Sequence, residues 1–98
     1  MPPTNATYNI NHLDPFSFDV RWDPPKNLSD FDYYQVALER SDVRYLINKD
    51  EERVATFYED LKPDEKYEVF IKTVSGNVSS WPVIVNVTTR KYFFSKLD

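Results

Sequence analysis

Apolar and polar residues alternate along most of this chain. Phe16, Phe18, Val20 and Trp22 are separated by Ser17, Asp19 and Arg21, so period two places four apolar side chains on one face of a half-buried strand. Asp23-Pro24-Pro25 ends that strand, because proline has no N–H to give to a ladder. Upstream, Ala6, Tyr8 and Ile10 alternate with Thr7, Asn9 and Asn11, and Asp14-Pro15 supplies the turn that makes the two strands a hairpin. After a loop over 24–32, Tyr34, Val36 and Leu38 predict a third strand. Residues 44–48, with Tyr45, Leu46 and Ile47, predict a fourth, closed by an acidic turn over 49–52. Residues 54–58, 67–73 and 83–88 predict three more. Seven short strands at this spacing, with no sustained 3.6-residue period, define an all-β, antiparallel β-sandwich. The expected inward set is Tyr8, Ile10, Phe18, Val20, Trp22, Tyr34, Val36, Leu38, Val54, Leu61, Tyr67, Val69, Ile71, Val85 and Val87, with Trp22 as its keystone.

Composition narrows this picture. A chain of 98 residues without cysteine holds one core and needs no staple to fold, since a domain of this size buries roughly two thirds of its unfolded surface. A formal charge of -4 gives no clustered basic face for a phosphate backbone, so nucleic acid is not expected as a partner. No apolar run approaches the roughly 20 residues of a membrane span, so direct membrane insertion is not expected. Met1-Pro2-Pro3 is no signal peptide, and the chain reads as one piece of a larger modular protein. The domain is expected over 2–90. The tail, 91–98, reads as an expression remnant or an unusual junction, because Tyr92-Phe93-Phe94 is apolar where a proline-rich linker would be expected.

Two local motifs carry a family resemblance. Val20-Arg21-Trp22-Asp23-Pro24-Pro25 ends the second strand in a tryptophan and a proline pair. Leu61-Lys62-Pro63-Asp64-Glu65-Lys66-Tyr67 sets leucine, proline and tyrosine at the spacing of a tyrosine corner. Together they resemble the fibronectin type III domain. An immunoglobulin domain would instead place its tryptophan on the third strand against a disulfide, which this chain lacks. The resemblance implies a seven-stranded sandwich of type III topology in which Leu61 plugs the core, Pro63 fixes the turn and the Tyr67 hydroxyl returns to the backbone. The stretch 73–82 is similar to the corresponding segment of repeats in receptor-type protein tyrosine phosphatases. That likeness implies an enzyme activity in a cytoplasmic domain outside this chain. There is no Arg-Gly-Asp, and Ser79-Ser80-Trp81-Pro82 lacks the paired Trp-Ser steps of haematopoietin receptors.

Catalytic and cofactor chemistry is not expected. His12 is alone, and a zinc site takes three or four protein ligands. The carboxylates of 50–52 and 64–65 fall in solvated turns rather than in a cleft. The serines have no base and no Gly-x-Ser-x-Gly elbow, and a single glycine, Gly76, builds no phosphate loop. Arg40, Arg44, Lys49 and Arg53 are interspersed with Asp42, Asp50, Glu51 and Glu52, which reads as a mixed-charge sheet edge. Trp81 stands open between two readings, a binding hot spot and a cover over the end of the core.

Four sequons, at Asn5, Asn27, Asn77 and Asn86, exceed the roughly one that chance would give and point to a secretory history. The expected function is therefore a non-catalytic binding or spacer module in the extracellular part of a cell-surface membrane protein. The alternative is an accessory module of a secreted carbohydrate-active enzyme. The expected partners are a protein ligand or neighbouring repeats, and the isolated domain is expected to be monomeric. In type III topology Asn5, Asn27 and Asn77 fall at one pole, where glycans would crowd the loops. A partner is then expected on the side of the third, fourth, sixth and seventh strands, within the limit set by Asn86.

Overall fold

The computed structural model describes residues 1–26 and 30–92. Within them, eight strands build two antiparallel sheets: β1 (Thr4–Tyr8), β2 (Phe18–Asp23), β3 (Tyr33–Leu38), β4 (Arg44–Asn48), β5 (Val54–Phe57), β6 (Lys66–Ser75), β7 (Val78–Ser79) and β8 (Val83–Thr88). One sheet has the order β1-β2-β5. The other runs β4-β3-β6, with β7 and β8 both paired to the far side of β6. This is the sandwich expected from the alternation, with the seventh expected strand found as β8 and the two-residue β7 added ahead of it.

The core lies between the sheets. Alternation on β2 buries Phe18, Val20 and Trp22, and on β3 it buries Tyr34, Val36 and Leu38. Val69 and Ile71 of β6 and Val85 and Val87 of β8 complete the opposite wall. Trp22 meets the Tyr34 ring edge-on with centroids 5.4 Å apart, and Phe57 meets Tyr45 at 5.3 Å. Offset and edge contacts of this kind suit the ring quadrupoles.

Three expectations about the first sheet are corrected. Ile10 does not extend β1 into the core. Asn9 caps a short 3-10 turn over Ile10–His12 by accepting from the Asn11 N–H, and Ile10 is left 53% exposed. An asparagine side chain that bonds the backbone two residues on competes with the ladder, and here it prevails. Strand β2 begins at Phe18, and Phe16 is exposed, because Asp14 accepts from the Phe16 N–H and the Ser17 hydroxyl and holds that stretch in a turn. On β5 the phase is shifted by one. Ala55 and Phe57 are buried while Val54 is only partly covered, since the pairing sets Ala55 opposite Val20 and Phe57 opposite Phe18.

Two bulges shape the sheets. On β1 the register slips between Thr4 and Thr7, and Asn5 takes a φ of 50° there. Between β7 and β8, residues 80–82 stand against only 72–73, as Val74 faces Ser79 and Ile71 faces Val83. Pro82 cannot donate to the ladder at that point. Ser80 repairs the gap: its N–H donates to the Thr73 carbonyl, and its hydroxyl accepts from the Thr73 N–H. The extra residue turns Trp81 out of the sheet.

Candidate interaction surface

The outer face of the five-stranded sheet is set by the same alternation that fills the core. With Tyr34, Val36, Val69, Ile71 and Val85 inward, the outward positions are Gln35 and Ala37 on β3, Arg44 and Leu46 on β4, Glu68, Phe70 and Lys72 on β6, and Ile84 and Asn86 on β8. Register aligns them into rows across the strands. Leu46, Gln35 and Lys72 make one row, and Arg44, Ala37, Phe70 and Ile84 the next. Glu68 and Asn86 continue a third row that begins at Glu39, whose N–H donates to the Glu68 carbonyl.

Three large apolar side chains stand exposed on this face. Trp81 is 85% exposed, Leu46 63% and Ile84 49%. Trp81 and Pro82 rise beside Lys72 and wall a concavity of about 550 Å³, with Ala37 and Phe70 on its floor and Arg44 and Lys72 among its sides. At that exposure Trp81 does not cover the end of the core. Below the concavity, Glu39 and Glu68 are side by side. A hydrogen bond with Glu39, and then the Glu39 charge, raises the Glu68 carboxyl above its ordinary value, with Arg40 opposing. Like charges directly opposite across two strands repel.

The outer face of the other sheet is polar, with Thr7, Arg21 and Thr56 exposed. His12 lies there, exposed, with Nδ1 2.8 Å from Asp19 Oδ2 and 3.2 Å from Asn9 Nδ2. No group of three or more His, Asp or Glu residues is arranged to hold a metal among the described residues.

The sequon asparagines separate into two places. Asn5 is exposed on its bulge, and its amide donates to Asp23 Oδ2 at 3.0 Å. Asn77 is exposed at the tip of the β6–β7 hairpin, beside Gly76, whose φ of +58° suits a residue without a Cβ. The Gly76 N–H donates to Asp32 at 2.9 Å, tying this hairpin to the entry of β3 at the end of the sandwich where β1 starts. Asn86 lies apart, on the outer face in the carboxylate row. Asn27 and residues 93–98 of the tail lie outside the described residues.

At the opposite end, Leu61 is buried and the Tyr67 hydroxyl accepts from the Lys62 N–H at 2.8 Å, with Pro63 between them. Asp64 takes a φ of 55° to complete this corner. A second fastening was not read from the sequence. Thr89 is buried, and its hydroxyl accepts from the Glu65 N–H at 3.0 Å and donates to the Lys62 carbonyl. Arg90 then reaches the Leu13 and Ile10 carbonyls at 2.6 and 3.2 Å, binding the 3-10 turn to the end of β8. The Glu39–Glu68 pair was missed as well, because its members are far apart in the sequence and only the β3–β6 register joins them.

Comparison with known proteins agrees with this architecture. The model of the Fibronectin type III domain family matches residues 1–86, and the chain belongs to that family. No curated protein sequence matches it. Among solved structures, a computer-redesigned β-sandwich protein is similar at TM-score 0.80 and 19% identity, covering 100% of this chain and 98% of that one. The FN1–FN3 domains of chicken CNTN1 are similar at TM-score 0.73 and 20% identity, with 91% of this chain matched to 30% of that one. A Yersinia enterocolitica family 28 exopolygalacturonase is similar at TM-score 0.66 and 16% identity, over 94% of this chain and 21% of that one. Identities this low show a shared fold.

Proposed function

We propose that this chain is a non-catalytic interaction module from the extracellular part of a cell-surface receptor or adhesion protein, with its partner held on the outer face of the five-stranded sheet. The observation that carries the reading is the exposure of Trp81, Leu46 and Ile84 on one face around a concavity floored by Phe70. An apolar patch rimmed by polar residues is the usual mark of a protein contact. The four sequons support the extracellular setting, and Asn5 and Asn77 leave this face clear. The likeness of 73–82 to receptor-type tyrosine phosphatase repeats supports such a receptor as the parent, with the enzyme in a domain outside this chain. A second reading, an accessory module of a secreted carbohydrate-active enzyme, is favoured by the similarity to a segment of the exopolygalacturonase.

The test is partner binding by the full ectodomain carrying Trp81→Ala. A side chain this exposed contributes little to the domain's own packing, whereas loss of a hot-spot tryptophan costs about 2 kcal/mol, roughly thirty-fold in affinity. Unchanged affinity would leave the domain a spacer.

A further inference from the structure

We propose that this face docks on the same face of a second copy of the chain, with the strands of the two copies antiparallel. The inference rests on the reading of that face as an interaction surface and names what covers it. On β6, Glu68, Phe70 and Lys72 occupy successive outward positions, so the strand reads acid, apolar, base along the face. A two-fold axis lying across the strands at Phe70 brings Phe70 onto Phe70 of the second copy. It sets Lys72 over Glu68 of the second copy, and by symmetry does so twice. Strand β3 repeats the logic. Ala37 lies in the middle row, and the carboxylate of Glu39 meets the amide of Gln35 from the second copy.

The other face-to-face arrangement is disfavoured by the same residues. An axis along the strands would lay the Glu39–Glu68 row on itself and leave both carboxyl pairs facing acid. Only the antiparallel arrangement gives each pair a cation, and the unrelieved repulsion between Glu39 and Glu68 in the single chain is then answered by Lys72. One like-charge meeting remains, between the two copies of Arg44 at the rim of the middle row, where long side chains diverge into screened solvent. Packed sheets aligned this way stand about 10 Å apart, close enough for the Phe70, Ile84 and Trp81 side chains to fill the space between them. A contact of a single sheet face is in the size class of transient complexes, below roughly 1,200 Å² in all. The chain is accordingly monomeric when dilute and pairs where it is concentrated with Asn86 bare. Asn86 stands in the carboxylate row, so a glycan there blocks the contact.

Sedimentation equilibrium of the full 98-residue chain made without glycans, up to a concentration on the order of 1 mM, tests this. The average mass is expected to rise from 11.7 kDa towards twice that value, and to fall back with added salt. Lys72→Glu and Glu68→Lys each place like charges across the axis and are expected to stay monomeric alone. Mixed in equal amounts they restore opposite charges at both contacts and are expected to pair again, which also shows that both variants are folded. A parent that stays at one chain's mass, single variants that associate like the parent, or a mixture that stays monomeric overturns the proposal. Any of these results, combined with a Trp81→Ala loss in the ectodomain assay, leaves the interaction surface standing with a different partner.

Discussion

Thr89 offers a sharp test of how the lower end of the sandwich is held. Its side chain is 2% exposed, and one hydroxyl satisfies two backbone groups of the β5–β6 connection, the Glu65 N–H at 3.0 Å and the Lys62 carbonyl. Thr89→Val keeps the shape and deletes both bonds. Each hydrogen bond contributes about 0.5–1.5 kcal/mol net, and the orphaned groups sit near the surface, where water recovers part of the loss. The expected cost is about 2 kcal/mol. For a domain of this length each kcal/mol moves the thermal midpoint by roughly 4–8 °C, so the midpoint should fall by roughly 8–16 °C. Thr89→Ser, which keeps the hydroxyl and loses one methyl, should cost about 1 kcal/mol, and Thr88→Val on the exposed side of β8 should lie within about 0.5 kcal/mol of the parent. Urea denaturation followed by tryptophan fluorescence reads all three. If Thr89→Val and Thr88→Val share a midpoint, the Thr89 hydroxyl is not holding the connection.

Other substitutions probe the rest of the structure. Trp22→Ala should lose about 3–5 kcal/mol, a large share of the roughly 5–15 kcal/mol of a typical domain, and a midpoint equal to the parent's would contradict its place in the core. Phe57→Ala should cost about 3–5 kcal/mol and Val54→Ala less than about 1 kcal/mol, and the reverse order would restore the other phase of β5. Glu68→Gln should stabilise the chain at neutral pH. The folded-state value of Glu68 is raised, so the folded chain binds more protons than the unfolded one just above the ordinary glutamate value of 4.5. Stability from this group therefore falls as pH rises through that window and stays low above it. The gain from Glu68→Gln should be largest near pH 7 and shrink towards pH 4, and a gain independent of pH would refute the assignment.

What the sequence disclosed depended on how local each determinant is. The tyrosine corner spans six residues, Lys62 to Tyr67, and can be read directly. Strands β2, β3, β6 and β8 could be placed because one phase of each alternation is plainly apolar. Residues 54–58 offer two apolar phases, Val54 with Tyr58 or Ala55 with Phe57, and pairing with β2 decides between them. Ile10 continues the apolar alternation of β1, but Asn9 takes up the backbone bond and turns the chain away. Pro82 signals a break in the last strand. That Trp81 turns outward there depends on counting 80–82 against 72–73, which requires the register with β6. The surface rows have the same dependence, since Glu39, Glu68 and Asn86 become neighbours only through two strand pairings.

If two copies of the chain pair through the outer face of the five-stranded sheet, amide and indole N–H chemical shifts of the full chain report that pairing residue by residue. On dilution from millimolar to micromolar concentration in the absence of glycans, shift changes are expected on that face alone, at Leu46, Phe70, Lys72, Ile84 and the Trp81 indole. Thr7, Arg21 and Thr56 on the opposite face should stay still. Spectra that do not change with concentration, or changes centred on the polar face, would contradict that pairing.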